Sequence, residues 1–141
     1  MQDCIFCKIV AGSIPSCKVY EDENTIAFMD VGPLVKGHTL VIPKKHHDPL
    51  TDTPPETLLA CMQTVKLVMQ AQQKALGCQG VNLHQANGAA AGQVVPHLHF
   101  HVIPRFVDDG HHWNWNAQSY ATQEAMQEMA QRIQENISAV V

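Results

Sequence analysis

Residues 97–103 run His97-Leu98-His99-Phe100-His101-Val102-Ile103, three histidines in strict alternation with apolar residues. Successive side chains of a strand point to opposite faces, so this spacing predicts a strand with three imidazoles on one face, about 6–7 Å apart, and Leu98, Phe100 and Val102 turned into a core. Incidental surface histidines explain the pattern poorly, because histidine has no strong strand preference. Three metal ligands on one strand form a second reading, although one flat strand wraps an ion badly. A third uses the loop immediately before, Asn87-Gly88-Ala89-Ala90-Ala91-Gly92-Gln93. Glycine lets the backbone come close to a ligand, and N–H groups of such a loop can converge on phosphate oxygens. Followed by a histidine array, the loop becomes a candidate site for phosphoryl or nucleotidyl transfer, with one imidazole attacking phosphorus and another donating a proton.

Further strands are predicted at 25–30, 38–43 and 81–86, rich in β-branched and aromatic residues, with a Gly/Pro turn over Val31–Gly37. Two helices are signalled. Thr53-Pro54-Pro55-Glu56 offers a cap, an early proline and a capping-box glutamate. Leu58, Met62, Val65, Met69 and Leu76 then recur at helical spacing up to Gly77. A second helix is expected from about Thr122, with Met126, Met129, Ala130, Ile133 and Ile137 on one face, taken like the first stripe as core. Strands in a run around one long helix give an α+β class with a largely antiparallel sheet.

The chain has 141 residues, the scale of a single domain, and shows no repeat or linker. Its 45% hydrophobic and 16% charged content excludes intrinsic disorder. A net charge of −4, with no basic cluster beyond Lys44-Lys45, argues against nucleic acid or a polybasic membrane contact. No apolar stretch is long enough for a membrane span, and no leader pattern precedes Cys4. Five scattered cysteines do not suggest a disulfide framework, so a reducing cytoplasm is the expected location. Cys4 and Cys7 are spaced to bring two thiolates onto one ion; a redox pair and two unconnected thiols are the other readings. Zinc would need two more ligands, and His46, His47, His97, His111 and His112 are the candidates. Cys17, Cys61 and Cys78 read as isolated thiols, with Cys61 near the apolar face of the first helix.

Gly92 through Pro104 resembles the signature of the histidine triad (HIT) superfamily of nucleotide-binding proteins. The likeness extends to Cys4-Ile5-Phe6-Cys7-Lys8-Ile9 and to Asp30–Lys45, and is nearest to the bacterial branch carrying a zinc site. It implies one domain over residues 1–141: a core over 1–106 with a five-stranded antiparallel sheet and one long helix, and a C-terminal extension, 107–141, carrying the second helix. It further implies a homodimer. The activity implied is that of a hydrolase or transferase cleaving at the α-phosphate of purine nucleotide conjugates through a nucleotidyl-histidine intermediate; a nucleotide-binding regulatory module with little turnover is the alternative. By the same resemblance His99 is the nucleophile, His101 binds the phosphate or orients the intermediate, and His38 supports them from behind. Asp30 would hydrogen-bond the ribose hydroxyls, although on residues alone it is a turn-initiating aspartate. Asn87, Gly92, Gln93 and the backbone of Val94 would hold phosphate; Phe6, Ile9, Phe28 and Val31 would form the base pocket. Cys4, Cys7, His46 and His97 would hold a structural zinc. Many relatives carry Ser or Thr where this chain has Val94, which puts side-chain help to the leaving group in doubt. The segment His111-His112-Trp113-Asn114-Trp115-Asn116 is an exposed loop or, by the resemblance, a piece that reaches the partner's active site.

Overall fold

A computed structural model describes residues 3–112 and 115–140. It forms two compact units, the first ending at His111 and the second starting at His112. The first unit holds α1 (Ile5–Val10), β1 (Lys18–Glu21), β2 (Thr25–Met29), β3 (Thr39–Pro43), α2 (Pro55–Leu76), β4 (Gly80–His84) and β5 (Phe100–Arg105). The five strands make one antiparallel sheet in the order β1-β2-β3-β5-β4. An α+β architecture is therefore what the chain adopts.

The sheet is covered on both faces, which is why β2 and β3 read as continuous apolar runs. Ala27, Val41, Leu98, Phe100 and Val102 pack against Cys61, Val65 and Val68 of α2. Ile26, Phe28, Leu40 and Ile42 point the other way, to Phe6, Ile9 and Val10 of α1. The period of two thus sorts one strand into two cores. Cys61 is buried there as expected, and burial pushes its thiol up to about 12, so it is an inert core group. The Thr25 and Thr64 hydroxyls meet at 2.6 Å between β2 and α2, which satisfies two buried polar groups.

Helix α2 ends on Gly77 in the left-handed region at φ 63°, as its sequence predicts. Its start differs. Thr53 does not cap it: the helix begins after Pro54, while the Thr53 hydroxyl donates to Pro49 O at 2.9 Å. Two elements of the first unit escape the hydropathy pattern, β1 because three of its four residues are exposed, and α1 because six residues are too few to show a helical period.

The second unit carries α3 (Gln123–Val140), with the Thr122 hydroxyl accepting from Ala125 N at 3.0 Å as a cap. Its apolar stripe does not form the expected core. Met126, Met129, Ile133 and Ile137 are all exposed, because an amphipathic stripe becomes core only where another surface covers it. Trp115 is exposed, and Trp113 and Asn114 lie outside the described residues.

Candidate active site

The alternation of residues 97–103 holds in space, but the row of imidazoles divides. Strand β5 begins only at Phe100, because the residues before it pair with loops: Leu98 N donates to His47 O at 2.7 Å and His97 N to Val95 O at 2.9 Å. The His99 and His101 rings lie 5.0 Å apart and line a cavity of about 400 Å³ on the α1 face. His97 points out of that row, its ring 4.8 Å from His46, and Phe6 stands edge-on to both His97 and His99. That cavity size falls in the range of small-molecule sites.

Backbone hydrogen bonds assign the proton on His99, His97 and His38, and His38 in turn assigns that on His101. A carbonyl oxygen only accepts, so the 2.6 Å contact of His99 Nδ1 with His97 O puts a proton on Nδ1 and leaves the lone pair on Nε2. His97 is tied the other way: Nε2 donates to Pro43 O at 2.9 Å, which leaves the lone pair on Nδ1. For His38, Nδ1 accepts from Leu34 N at 3.0 Å, so its Nε2 carries the proton and donates to His101 Nδ1 at 2.8 Å. His101 Nε2 therefore holds a proton. Burial chiefly, with the neighbouring His99, His38 and His84, lowers His101 to about 4, and His38 is lowered by burial and by His84 against the pull of Asp30. Both rings are neutral near pH 7.

His38 is placed by Gly37, whose φ is 103°; a Cβ there would meet Leu76 at 2.8 Å and Pro104 at 2.9 Å. Gln72 of α2 closes the same corner, donating to Gly37 O and Val102 O, both at 3.0 Å. His38 itself is buried behind His101 and is absent from the cavity wall. Asp30 is on that wall. Its Oδ1 accepts from Gly32 N at 2.8 Å, a turn role, while Oδ2 lies 3.4 Å from His38 Nε2.

Phe6, Ile9, Phe28 and Val31 also line the cavity, with Gly92, Gln93 and Val94. Asn87 does not. Its Oδ1 accepts from Leu50 N at 2.8 Å and its Nδ2 donates to Gln85 Oε1, so it ties two loops together, and Ala86 takes the place on the wall. The N–H groups of Ala91, Gly92 and Gln93 turn inward to the carbonyls of Gly88 and Ala89, closing a 3-10 turn. The Gln93 side chain holds the loop, donating to Asp48 Oδ1 at 2.7 Å and Val95 O at 3.0 Å and accepting from Gly88 N. His84, which no sequence signal singled out, stands on the wall beside His101, with ring centroids 5.4 Å apart. Only the pairing of β4 with β5 reveals it, by setting His84 opposite His101.

The second cluster stands on the other side of Phe6. Donor atoms of Cys4, Cys7, His46 and His97 all lie within 4.8 Å of one another. Cys4 Sγ is 3.4 Å from His97 Nδ1, and Cys7 Sγ is 3.3 Å from His46 Nδ1 and 3.6 Å from His97 Nδ1. Cys4 caps α1 through a contact with Cys7 N, so one helical turn brings the two thiols together. Burial and then Cys4 push the Cys7 thiol up, a cost that a cation among these donors would remove. Two thiols, two imidazoles with Nδ1 turned inward, and the carbonyl behind His97 fit zinc in a closed structural site. His47 is not among these donors.

The sequence profile of the HIT domain matches residues 11–108. This chain belongs to the histidine triad family. Among similar HIT proteins, an adenylylsulfatase of Arabidopsis thaliana is 48% identical over 103 residues, 73% of this chain and 52% of that longer protein. An adenosine 5′-monophosphoramidase of Schizosaccharomyces pombe is 44% identical over 102 residues, 72% of this chain and 74% of that one. A zinc-bound histidine triad protein of Mycobacterium smegmatis is 36% identical, with a TM-score of 0.74 and 98% of each chain covered. The family is one of nucleotide-binding proteins that includes hydrolases, and a HIT protein with bound zinc shares this fold.

Proposed function

We propose that this HIT protein is a nucleotidyl hydrolase or transferase that cleaves purine nucleotide conjugates at the α-phosphate through a covalent intermediate on His99. The observation that carries it is the fixed proton on His99 Nδ1, which leaves Nε2 as a nucleophile facing the cavity. In the first step Nε2 bonds to phosphorus, the bond from phosphorus to the leaving group breaks, and the leaving atom keeps the electron pair. His101 presents an Nε2 proton to the phosphate oxygens or to a leaving amine, held in that tautomer by His38. Water then cleaves the nitrogen–phosphorus bond, releasing nucleoside monophosphate and returning the lone pair to His99. Phe6, Ile9, Phe28 and Val31 receive the base, and Asp30 the ribose. Gly92, Gln93 and Val94 border the phosphate, with the loop acting as a shaped wall. The names of the two enzymes similar to this chain, both acting on adenylate conjugates, support the substrate class.

Cys4, Cys7, His46 and His97 would hold zinc as a structural ion, tying α1 to the segment that carries His99. Bound there, it would supply a cross-link, and its stabilisation would be folding stability. A homodimer is proposed with it: β4 is an edge strand, and Leu83 on it is exposed. A reducing compartment such as the cytoplasm suits the two thiols.

The test is to incubate the protein with adenylate conjugates labelled at the α-phosphate and quench in alkaline detergent. Label on the wild-type chain, none on His99→Ala, and AMP release that survives chelation are expected. AMP release persisting in His99→Ala overturns the reading. Nucleotide binding without any AMP release, for which Val94 is the structural hint, favours a regulatory module instead.

A further inference from the structure

The wall formed by Gly92, Gln93 and Val94 is held from behind by a segment that is absent from the cavity. Residues 46–50 run from the donor cluster at His46 toward α2. Three bonds join them to residues 87–98. His47 O accepts from Leu98 N at 2.7 Å, Asp48 Oδ1 accepts from Gln93 Nε2 at 2.7 Å, and Leu50 N donates to Asn87 Oδ1 at 2.8 Å. Asp48 is therefore anchored on both sides, half-buried behind the wall that carries Gln93.

The Gln93 amide is fully engaged. Nε2 carries two protons, one donated to Asp48 Oδ1 and the other to Val95 O at 3.0 Å, while Oε1 accepts from Gly88 N at 2.7 Å. By closing on Gly88 N and Val95 O, this side chain clamps the loop at both ends and fixes the peptide of Val94 between them. The N–H groups of Ala91, Gly92 and Gln93 are used inside the loop, whereas among the described residues that of Val94 has no acceptor. Val94 lines the cavity, so its N–H is the loop donor left for a ligand there. Asp48 is the partner of the Gln93 amide that comes from outside the loop, and so it ties the clamp to the rest of the fold.

We infer that Asp48 is a positioning residue for the phosphate of the bound nucleotide, acting through the Gln93 amide on the wall at 92–95. This rests on the nucleotide reading above. Loss of the Asp48 oxygen leaves one Gln93 N–H without its acceptor, frees the amide to turn, and loosens the peptide that faces the phosphate. The other end of the ligand is supported independently. Phe6, Ile9 and Phe28 are held by apolar packing of α1 on β2, and Asp30 by its own turn. Asp48 thus acts on the phosphate and leaves base and ribose alone.

The experiment measures Kd by calorimetry for AMP and for adenosine, which share base and ribose and differ by the phosphate. Wild type, Asp48→Ala, Asp48→Ser, Asp48→Asn, Gln93→Ala and the double variant of Asp48→Ala with Gln93→Ala are compared. Affinity for AMP is expected to fall about fivefold in Asp48→Ala and Asp48→Ser, whose side chains are too short to replace Oδ1, while adenosine stays within about twofold. Asp48→Asn keeps an acceptor oxygen and should hold AMP within about twofold of wild type. In the Gln93→Ala background Asp48→Ala should cost less than about twofold more, because the two side chains act as one unit. The serine variant keeps the test decisive if alanine disturbs folding. Unchanged AMP affinity in both short variants, equal losses for AMP and adenosine, or additive losses with Gln93→Ala overturn the role of Asp48 alone. Failure of the wild type to bind AMP overturns the nucleotide reading, and this inference with it.

Discussion

His97 and His99 are two residues apart on the same side of one segment, touch the same phenyl ring, and are prepared for opposite chemistry. His99 has its Nδ1 proton on a carbonyl and turns a bare Nε2 toward a cavity. His97 has its Nε2 proton on a carbonyl and turns a bare Nδ1 toward two thiols and a second imidazole. Which carbonyl lies within reach decides whether an imidazole becomes a nucleophile or a ligand. Phe6 stands between the two and keeps the functions separate.

The sharpest way to break that contrast is to remove each imidazole in turn. His99→Ala is expected to lower turnover by more than about 10³-fold, the scale on which loss of a nucleophile acts, while zinc content and melting temperature stay near wild type. Affinity for AMP should hold within about tenfold, roughly 1.4 kcal/mol, when measured by calorimetry. His97→Ala should do the reverse, losing metal and stability first. Equal losses of turnover, or loss of zinc in His99→Ala, would merge the two sites into one.

A smaller effect separates the ligands. Wild type should purify with about one zinc per chain, as a closed four-ligand site requires. Cys4→Ser and His46→Ala should lower that content and, for a domain of this size, drop the melting temperature by about 5–10 °C. His47→Ala should keep its zinc, since His47 lies outside the donor cluster. Elemental analysis with thermal melts checks this, and full zinc in His46→Ala would remove it from the set.

The smallest effect comes from pH. Burial and the surrounding imidazoles hold His101 at about 4 in the folded chain, below the 6.5 of an ordinary histidine. Between those values the unfolded chain takes up a proton that the folded chain refuses. The stability is therefore fully present above about pH 6.5 and is lost as pH falls toward 4, with a slope of at most about 1.4 kcal/mol per pH unit for one group. Urea midpoints of wild type should fall over that interval, and those of His101→Gln should fall less. Parallel curves would mean that His101 does not sense its neighbours.

Much of this was written in local pattern. The strands at 25–29 and 39–43 and helix α2 with its Gly77 stop follow from periodicity and glycine geometry, while the five-stranded arrangement is what the resemblance of the motifs at 92–104 and 4–9 to the HIT family implies. Where local pattern misled, a long-range contact or the lack of one was responsible. Thr53 had the right neighbours for a cap, but Pro49 O captured its hydroxyl. Met126, Met129, Ile133 and Ile137 had the right spacing for a core and are exposed.

The amino-acid pattern alone determined that residues 97–103 alternate, that Leu98, Phe100 and Val102 are core, and that two cysteines are spaced to reach one ion, because these depend on spacings of a few residues. Tertiary structure alone decided which nitrogen of each histidine is bare and that His84 shares a wall with His101. Those outcomes depend on groups that strand pairing and loop packing bring together, such as Pro43 O at 2.9 Å from His97 Nε2 and the His84 ring at 5.4 Å from His101, which the pattern of neighbouring residues does not specify.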